Sequence, residues 1–160
     1  MQRIGAQLRT VAVSAGMIGA VLAGPALAQD GQATYRDIEA TLGSVPSMFK
    51  LFPEGGIAGA WAEFKSVQLN PKTALSGKEK ELIGLAVAAQ IPCSYCIYFH
   101  TQAAKLNGAT DAEIREAVAM AAISRHWSTV LNGMQVDAEG FRRETDAVLR
   151  AAAERAAAAK

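Results

Sequence analysis

Residues 92–100 read PCSYCIYFH, and they contain both cysteines of the chain and one of its two histidines. On a helix, Cys93, Cys96 and His100 recur at i, i+3 and i+7, so the three side chains share one face. Pro92 suits the first position of a helix, because an N–H group would have no partner there. Cys93 then lies in the first turn, where free backbone N–H groups and the helix dipole favour a thiolate. The stretch therefore predicts a redox or metal site at the N-terminus of a helix.

The sequence on either side of this stretch is also helical, and no segment alternates β-branched with polar residues. Two capping boxes, Ser76–Glu79 and Thr110–Glu113, mark helix starts. Residues 80–91 are apolar almost all round, which predicts the central buried helix. Helices are predicted at about 33–42, 56–69, 76–91, 92–106, 110–131 and from 137 onward, with a short helix or turn within 45–53.

Several apolar groups outside the central helix are expected to be in the core. The segment 45–53 is bracketed by prolines and is dense in large side chains, for which the core is favoured over a partner subunit or a pocket: Met48, Phe49, Leu51 and Phe52. The helix that opens at Thr110 repeats small and branched residues at helical spacing: Ile114, Ala117, Val118, Ala121 and Ile123. The fold class predicted from these patterns is all-α, with a single multi-helix domain.

The first 28 residues have the three parts of a secretory signal peptide. Arg3 and Arg9 precede an apolar run, 11–22, and Ala26-Leu27-Ala28 supplies the small residues of a cleavage site. The apolar run is shorter than the roughly 20 residues that a membrane span needs. We therefore expect cleavage after Ala28, a periplasmic or secreted product without a membrane anchor, and a domain over 29–160 whose core is about 45–131 and whose end, 150–160, frays.

The charge balance is close to neutral, with a formal net charge of +1 for the whole chain. No cluster of Lys and Arg is present, so the sequence gives no reason to expect nucleic acid as a partner.

Export also sets the redox environment of the two cysteines. In an oxidising compartment a cysteine pair tends to form a disulfide unless a reductant acts on it.

Two known uses of paired cysteines do not fit. A haem c attachment needs His directly after the second cysteine, where Ile97 stands. A thioredoxin-type Cys-x-x-Cys follows a strand in a βαβ unit, and no strand is predicted here.

A zinc site is a third possibility, with Cys93, Cys96 and His100 as ligands and Glu81 or His126 as the fourth. Structural zinc sites usually draw ligands from two separated loops, and disulfide formation competes with the metal outside the cytoplasm. We therefore predict no metal.

A plain stabilising disulfide is the fourth possibility. A bridge between residues three apart closes a very small loop, so the stability it adds is at the low end of the usual range. It also distorts a regular first turn, because Cβ atoms at that spacing are about 5–6 Å apart, whereas a relaxed disulfide holds them about 3.8 Å apart. A redox-active disulfide is therefore favoured over a purely structural one.

The spacing Glu81-x11-Cys93-x2-Cys96-x3-His100, followed by Gly108, resembles the alkylhydroperoxidase D / carboxymuconolactone decarboxylase family. The resemblance extends from about Val45 to Leu131. It implies an all-α alkylhydroperoxidase D-like fold with the Cys-x-x-Cys at a helix N-terminus. It also implies assembly as a homo-oligomer, a trimer or hexamer.

The activity implied by the resemblance is that of a thiol-dependent peroxidase or disulfide reductase that needs no bound cofactor. Cys96 would attack the peroxide, Cys93 would resolve the product as a disulfide, and Glu81 with His100 would relay protons. Some family members carry a further His between the cysteines, where this chain has Tyr95, a possible auxiliary residue. The expected partners are a peroxide or disulfide substrate and a thiol reductant.

Two alternatives remain open on the sequence. The chain is a non-catalytic helical binding or assembly module with a structural disulfide, or it is a proton-transfer enzyme of the decarboxylase type. The decarboxylase branch generally lacks the cysteine pair. His126 does not belong to the family pattern, and we expect it at the surface or at an interface.

Overall fold

The structure, a computed structural model, describes residues 31–159. All regular elements in this range are helical: α1 Gly31–Leu42, α2 Ser47–Lys50, α3 Ile57–Glu63, α4 Gly77–Gln90, α5 Ser94–Leu106, α6 Asp111–Gly133 and α7 Ala138–Ala158. A π-helical turn, Phe64–Gln68, continues α3. The prediction of an all-α fold is therefore confirmed, while the predicted signal peptide, residues 1–28, lies outside the described residues.

The chain divides into two compact units, one that ends at Gly59 and one that starts at Ala60. In the first unit, α1 ends in the left-handed backbone conformation that its sequence predicts. Gly43 has φ +81°, and its N–H donates to the carbonyl of Glu39 at 2.8 Å. Glycine adopts this conformation without the steric penalty that a Cβ atom brings, so it closes the helix.

The second unit is organised around α4, which packs against both α5 and α6. Its buried side chains include Leu85 and Ala88, and small residues meet it from the neighbouring helices, with Ala104 of α5 and Ala121 of α6 also buried. Small side chains at a helix contact let the backbones approach closely, and this explains why an alanine-rich sequence forms the centre of this unit.

One face of α4 departs from the prediction of a fully buried helix. Ile83 and Val87 are 51% and 54% exposed, and Ile91, just after the helix, is 61% exposed. These residues are four apart and share one face. Their hydrophobicity made the sequence look buried all round, but α5 and α6 cover only the other faces.

Both predicted capping boxes are confirmed. The Ser76 hydroxyl accepts from the Glu79 N–H at 3.2 Å, and the Glu79 carboxylate accepts from the Ser76 N–H at 2.7 Å. Thr110 and Glu113 make the same reciprocal pair at 3.2 and 2.7 Å. Each box satisfies two backbone donors that a helix start otherwise leaves free, so α4 and α6 begin where the sequence predicts.

The predicted start of α5 at Pro92 is wrong by two residues. Pro92 belongs to the turn after α4, and Cys93 is the N-cap residue, with an extended backbone at φ −91° and ψ 97°. The Cys93 N–H still donates back to the carbonyl of Ala88 at 3.1 Å, which holds the turn against the end of α4. The cysteine sulfur takes the capping position that the sequence interpretation did not assign to it.

Several side chains expected in the core are exposed. In and around α2 only Phe49 is buried, because a single turn presents one side to a neighbour; the exposed residues there are Met48, Leu51 and Phe52. On α6, Ala121 is buried, but Val118 and Ile123 are 40% and 50% exposed. None of the described helices is both long enough and apolar enough to cross a membrane.

Candidate active site

The two cysteines form a disulfide at the N-terminus of α5, with their Cα atoms 5.3 Å apart. The Cys93 sulfur also accepts a hydrogen bond from the Cys96 N–H at 3.2 Å, and it is therefore the capping acceptor of the helix. Both residues are half-buried. An N-capping sulfur lies against the N–H groups of the first turn, where the positive end of the helix dipole stabilises negative charge.

Glu81 is a buried acid on α4, only 4% exposed. Its Oε2 atom lies 2.7 Å from Nδ1 of His100 on α5, and the imidazole side chain is 19% exposed. A carboxylate is buried in a folded protein only when it is paired or hydrogen-bonded. The structure therefore brings together the acid and the imidazole that the sequence predicted as partners, across the contact between α4 and α5.

A third polar residue, Gln68, joins this pair and was missed by the sequence interpretation. Its Nε2 atom donates to Glu81 Oε1 at 3.1 Å and to Oε2 at 3.4 Å. Both oxygens of the carboxylate thus accept hydrogen bonds. Within residues 31–159, no buried side-chain nitrogen or oxygen lacks a partner. Gln68 lies in the π-helical turn, which the sequence pattern did not reveal.

Gly84 was also missed, and it sets the position of the imidazole. A Cβ atom at this position would lie less than 3.0 Å from three ring atoms of His100. The ring therefore rests against the backbone of α4, one turn after Glu81. A glycine in the interior of an apolar helix could have been a signal, since glycine costs about 0.8–1 kcal/mol there relative to alanine.

Aromatic side chains form one wall beside the imidazole. The ring of Phe99 meets His100 edge-on with centroids 5.3 Å apart, and Phe64 lies 6.3 Å from Phe99. Trp61 stacks on Phe64 at 5.8 Å. A cavity of 280 Å³ opens along α3 and the π-helical turn, lined by Ala60, Glu63, Phe64, Val67 and Gln68. The polar site thus has an apolar border on the α3 side.

Two residues from the sequence interpretation lie apart from this cluster. Tyr95, between the cysteines, is 87% exposed. His126 on α6 meets Trp127 edge-on at 5.4 Å. The structure gives neither residue a contact with the pair formed by Glu81 and His100.

The described part of the chain contains no group of three His, Cys, Asp or Glu side chains arranged to hold a metal ion. In this structure the two sulfurs that a zinc site would use are bonded to each other.

The chain is thus an all-α protein with a cysteine pair at a helix N-terminus and a buried carboxylate–imidazole pair beside it. Residues 56–139, more than half of the chain, match the model of the carboxymuconolactone decarboxylase family, and all of the site residues described above lie in this range. The protein belongs to the carboxymuconolactone decarboxylase family.

Two further likenesses accompany the family match. The structure is similar to the alkylhydroperoxidase AhpD core from Rhodospirillum rubrum, with a TM-score of 0.61 and 30% identity over 70% of this chain and 85% of that one. A curated relative, uncharacterized protein 4 in the cox locus of Paracoccus denitrificans, is 42% identical over 52 residues, which is 32% of this chain and 47% of that protein. The matched stretch thus spans about half the length of this relative.

Proposed function

We propose that the protein is a thiol-dependent peroxidase or disulfide reductase that cycles Cys93 and Cys96 between dithiol and disulfide. The observation that carries the proposal is the hydrogen bond between Glu81 on α4 and His100 on α5, the helix whose N-terminus bears the cysteines. His100 follows Cys96 by one helical turn, so the two side chains share a face of α5. A thiol beside an imidazole whose other nitrogen is held by a carboxylate is an activated nucleophile.

The first step is the attack of Cys96 on a hydroperoxide. His100 takes the proton of the Cys96 thiol, and the thiolate attacks the terminal oxygen of ROOH. A sulfur–oxygen bond forms as the oxygen–oxygen bond breaks, so the sulfur is oxidised to a sulfenic acid and RO⁻ leaves. The imidazolium returns its proton to RO⁻, which departs as the alcohol. Glu81 stabilises the positive ring through this cycle.

The second step closes the disulfide. Cys93, as the thiolate that its N-cap position favours, attacks the sulfur of the sulfenic acid. The sulfur–sulfur bond forms, hydroxide leaves, and the proton lost by Cys93 completes a water molecule. The sum of both steps is dithiol plus ROOH to disulfide, alcohol and water. The disulfide present in the structure is the species that this step would produce.

A dithiol reductant completes the cycle. Its first thiolate attacks the bridge to give a mixed disulfide, and its second thiol releases the reduced enzyme while the reductant is oxidised to a disulfide. No bound cofactor is needed, since the electrons pass only between sulfur and oxygen. We further propose that the protein acts outside the cytoplasm, on the basis of the signal-peptide pattern in residues 1–28.

The test is peroxide consumption in the presence of dithiothreitol, with hydrogen peroxide and an organic hydroperoxide as substrates. The wild type should consume both, and Cys96→Ser should consume neither above the background of dithiothreitol. Cys93→Ser should still react once and accumulate a sulfenic acid, detectable with a dimedone-type trap. Equal consumption by the wild type and Cys96→Ser would overturn the proposal.

A further inference from the structure

The π-helical turn that ends α3 is an unusual element next to the site. The Leu69 N–H reaches back to the carbonyl of Phe64 at 3.2 Å, five residues earlier, instead of the usual four. Such turns are rare, and they are frequently found at functional sites. The wider turn changes the direction of the residues at its end, and Gln68 is its last residue.

Gln68 uses this position to reach a residue on another helix. Its amide nitrogen donates to both oxygens of Glu81, at 3.1 and 3.4 Å, and Gln68 is itself half-buried. Within residues 31–159 the Glu81 carboxylate hydrogen-bonds to Gln68 and His100 alone. The amide is therefore the second support of the carboxylate, and it does not touch the imidazole in these contacts.

We propose that Gln68 is a positioning residue that holds the Glu81 carboxylate as an acceptor for Nδ1–H of His100 and thereby fixes the tautomer of the imidazole. This inference rests on the proposed function for its consequence in catalysis, but the geometry itself does not depend on it. An amide NH₂ group can only donate to a carboxylate oxygen, so Gln68 engages both oxygens of Glu81 as hydrogen-bond acceptors.

The consequence for His100 follows from the identity of the ring nitrogens. The proton of a neutral imidazole lies on the nitrogen whose hydrogen bond requires a donor. With an acceptor-only carboxylate 2.7 Å from Nδ1, that nitrogen carries the proton. Nε2 is then the nitrogen with a free lone pair, which is the form that accepts a proton from a thiol. Gln68 would thus keep the ring in the base-competent tautomer through Glu81.

The test uses nitrogen NMR of protein labelled with ¹⁵N-histidine, in mildly alkaline buffer. The chain has two histidines, so His126, which lies apart from the site, serves as an internal reference. Gln68→Met removes the donor at similar size, and Gln68→Glu replaces it with a second carboxyl group. Gln102→Met and Gln102→Glu, at an exposed glutamine on α5, are the matched controls.

We expect the Nδ1–H tautomer of His100 in the wild type and in both Gln102 variants. In Gln68→Met the carboxylate loses one of its two supports, so the ratio of tautomers should move at least about two-fold toward Nε2–H. In Gln68→Glu the two carboxyl groups share a proton, since neighbouring like charges disfavour double ionisation, and the ratio should move the same way. In both Gln68 variants the rate constant for oxidation of the reduced protein by peroxide should fall about 10–100-fold, as it does when other residues that orient a histidine are replaced.

An unchanged His100 tautomer in the Gln68 variants would overturn the proposal, and a lowered melting temperature with that result would make Gln68 a structural link between the π-helical turn and α4. Gln68→Glu keeps the test available if Gln68→Met does not fold. A tautomer shift in a protein that reduces no peroxide would support the role of Gln68 and would count against the proposed function alone.

Discussion

At the scale of single residues, the imidazole of His100 depends on the absence of a side chain at Gly84. The ring rests on the backbone of α4 at a distance that leaves no space for a methyl group. Alanine would normally be the better residue in a helix interior, by about 0.5–1 kcal/mol. The glycine is therefore explained by the position of the imidazole and not by helix stability.

Gly84→Ala should separate the effect of this position on helix stability from its effect on the imidazole of His100. We expect the added methyl group to displace the ring and to lower the rate constant for peroxide reduction at least about 10-fold, since a shift of 1 Å at a reacting centre can cost about 100-fold. Stopped-flow oxidation of the reduced protein measures this rate constant.

The matched control is Gly59→Ala, because Gly59 is exposed in α3 and a Cβ atom there meets nothing within 4 Å. This variant should keep the wild-type rate constant and gain at most about 1 kcal/mol of unfolding free energy. Wild-type activity in Gly84→Ala would show that the imidazole does not need its observed position.

At the scale of helices, α4 and α6 are joined at their N-termini by an ion pair. Lys78 Nζ donates to Glu113 Oε1 at 2.7 Å. This bond, followed by the backbone N–H and the hydroxyl of Thr110, lowers the pKa of Glu113 from 4.5 to about 2. Glu113 thus closes the capping box of α6 and also contacts Lys78 in the first turn of α4. Its ionised form is part of the link between the two helices.

This link predicts how stability depends on pH. Because the pKa of Glu113 is lowered in the folded protein, its contribution is fully present above the ordinary pKa of 4.5 and is lost as the pH falls to about 2. The pKa values of Glu79, through Ser76, and Asp111, through Lys105, are lowered too and act in the same direction. Urea unfolding midpoints measured across this window should therefore fall with acid.

Lys78→Met should flatten that pH dependence, because it removes the largest cause of the lowered pKa of Glu113. Lys72→Met, at an exposed lysine of the linker before α4, is the control and should leave the slope unchanged. If the slope of Lys78→Met between these pH values equals that of the wild type, the ion pair does not contribute to acid sensitivity.

The helices also show what the sequence can predict and what it cannot. The starts of α4 and α6 were predictable because each capping box is a local pattern of hydroxyl and carboxylate three residues apart. The start of α5 was misplaced because a cysteine sulfur is not among the usual capping groups, although Cys93 caps the helix here. The predicted N-terminal position of the cysteine pair nevertheless holds within two residues.

The residues of the candidate site can also be divided into those that the sequence predicts and those that it does not. Glu81 and His100 were found because their spacing to the cysteines matches a family pattern. Gln68 was not found, because its contact with Glu81 depends on the π-helical turn and on how that turn meets α4, neither of which leaves a periodic signal. Gly84 was missed because its role appears only once the ring of a residue on another helix is in place.

At the scale of the whole molecule, much apolar surface is exposed. No side chain of α7 is buried, and its large apolar side chains are exposed: Phe141 by 44%, Val148 by 65% and Leu149 by 61%. The exposed face of α4 adds Ile83 and Val87. Clustered apolar side chains of this kind commonly mark interaction sites. Together with the family resemblance, they lead us to propose that the protein is a homo-oligomer.

Sedimentation velocity of the purified protein tests this proposal. We expect a species larger than the 16.8 kDa chain, and Val148→Lys with Leu149→Lys should shift it toward the monomer, because a charge in a buried contact is costly. Glu154→Gln changes the charge of α7 in the same direction but on its polar face, so it should leave the assembly intact. A monomeric wild type at micromolar concentration would contradict the proposal.

In the proposed mechanism, Cys93 and Cys96 react with peroxide because Glu81 and His100 move the proton. The most direct test is the second-order rate constant for oxidation of the reduced protein by hydrogen peroxide, followed as disulfide formation in a stopped-flow instrument. We expect a wild-type rate constant at least about 100-fold above that of a simple thiol such as glutathione, and a fall of about 100-fold or more in His100→Gln and Glu81→Gln. A wild-type rate constant equal to that of glutathione, or one unchanged in both variants, would contradict it.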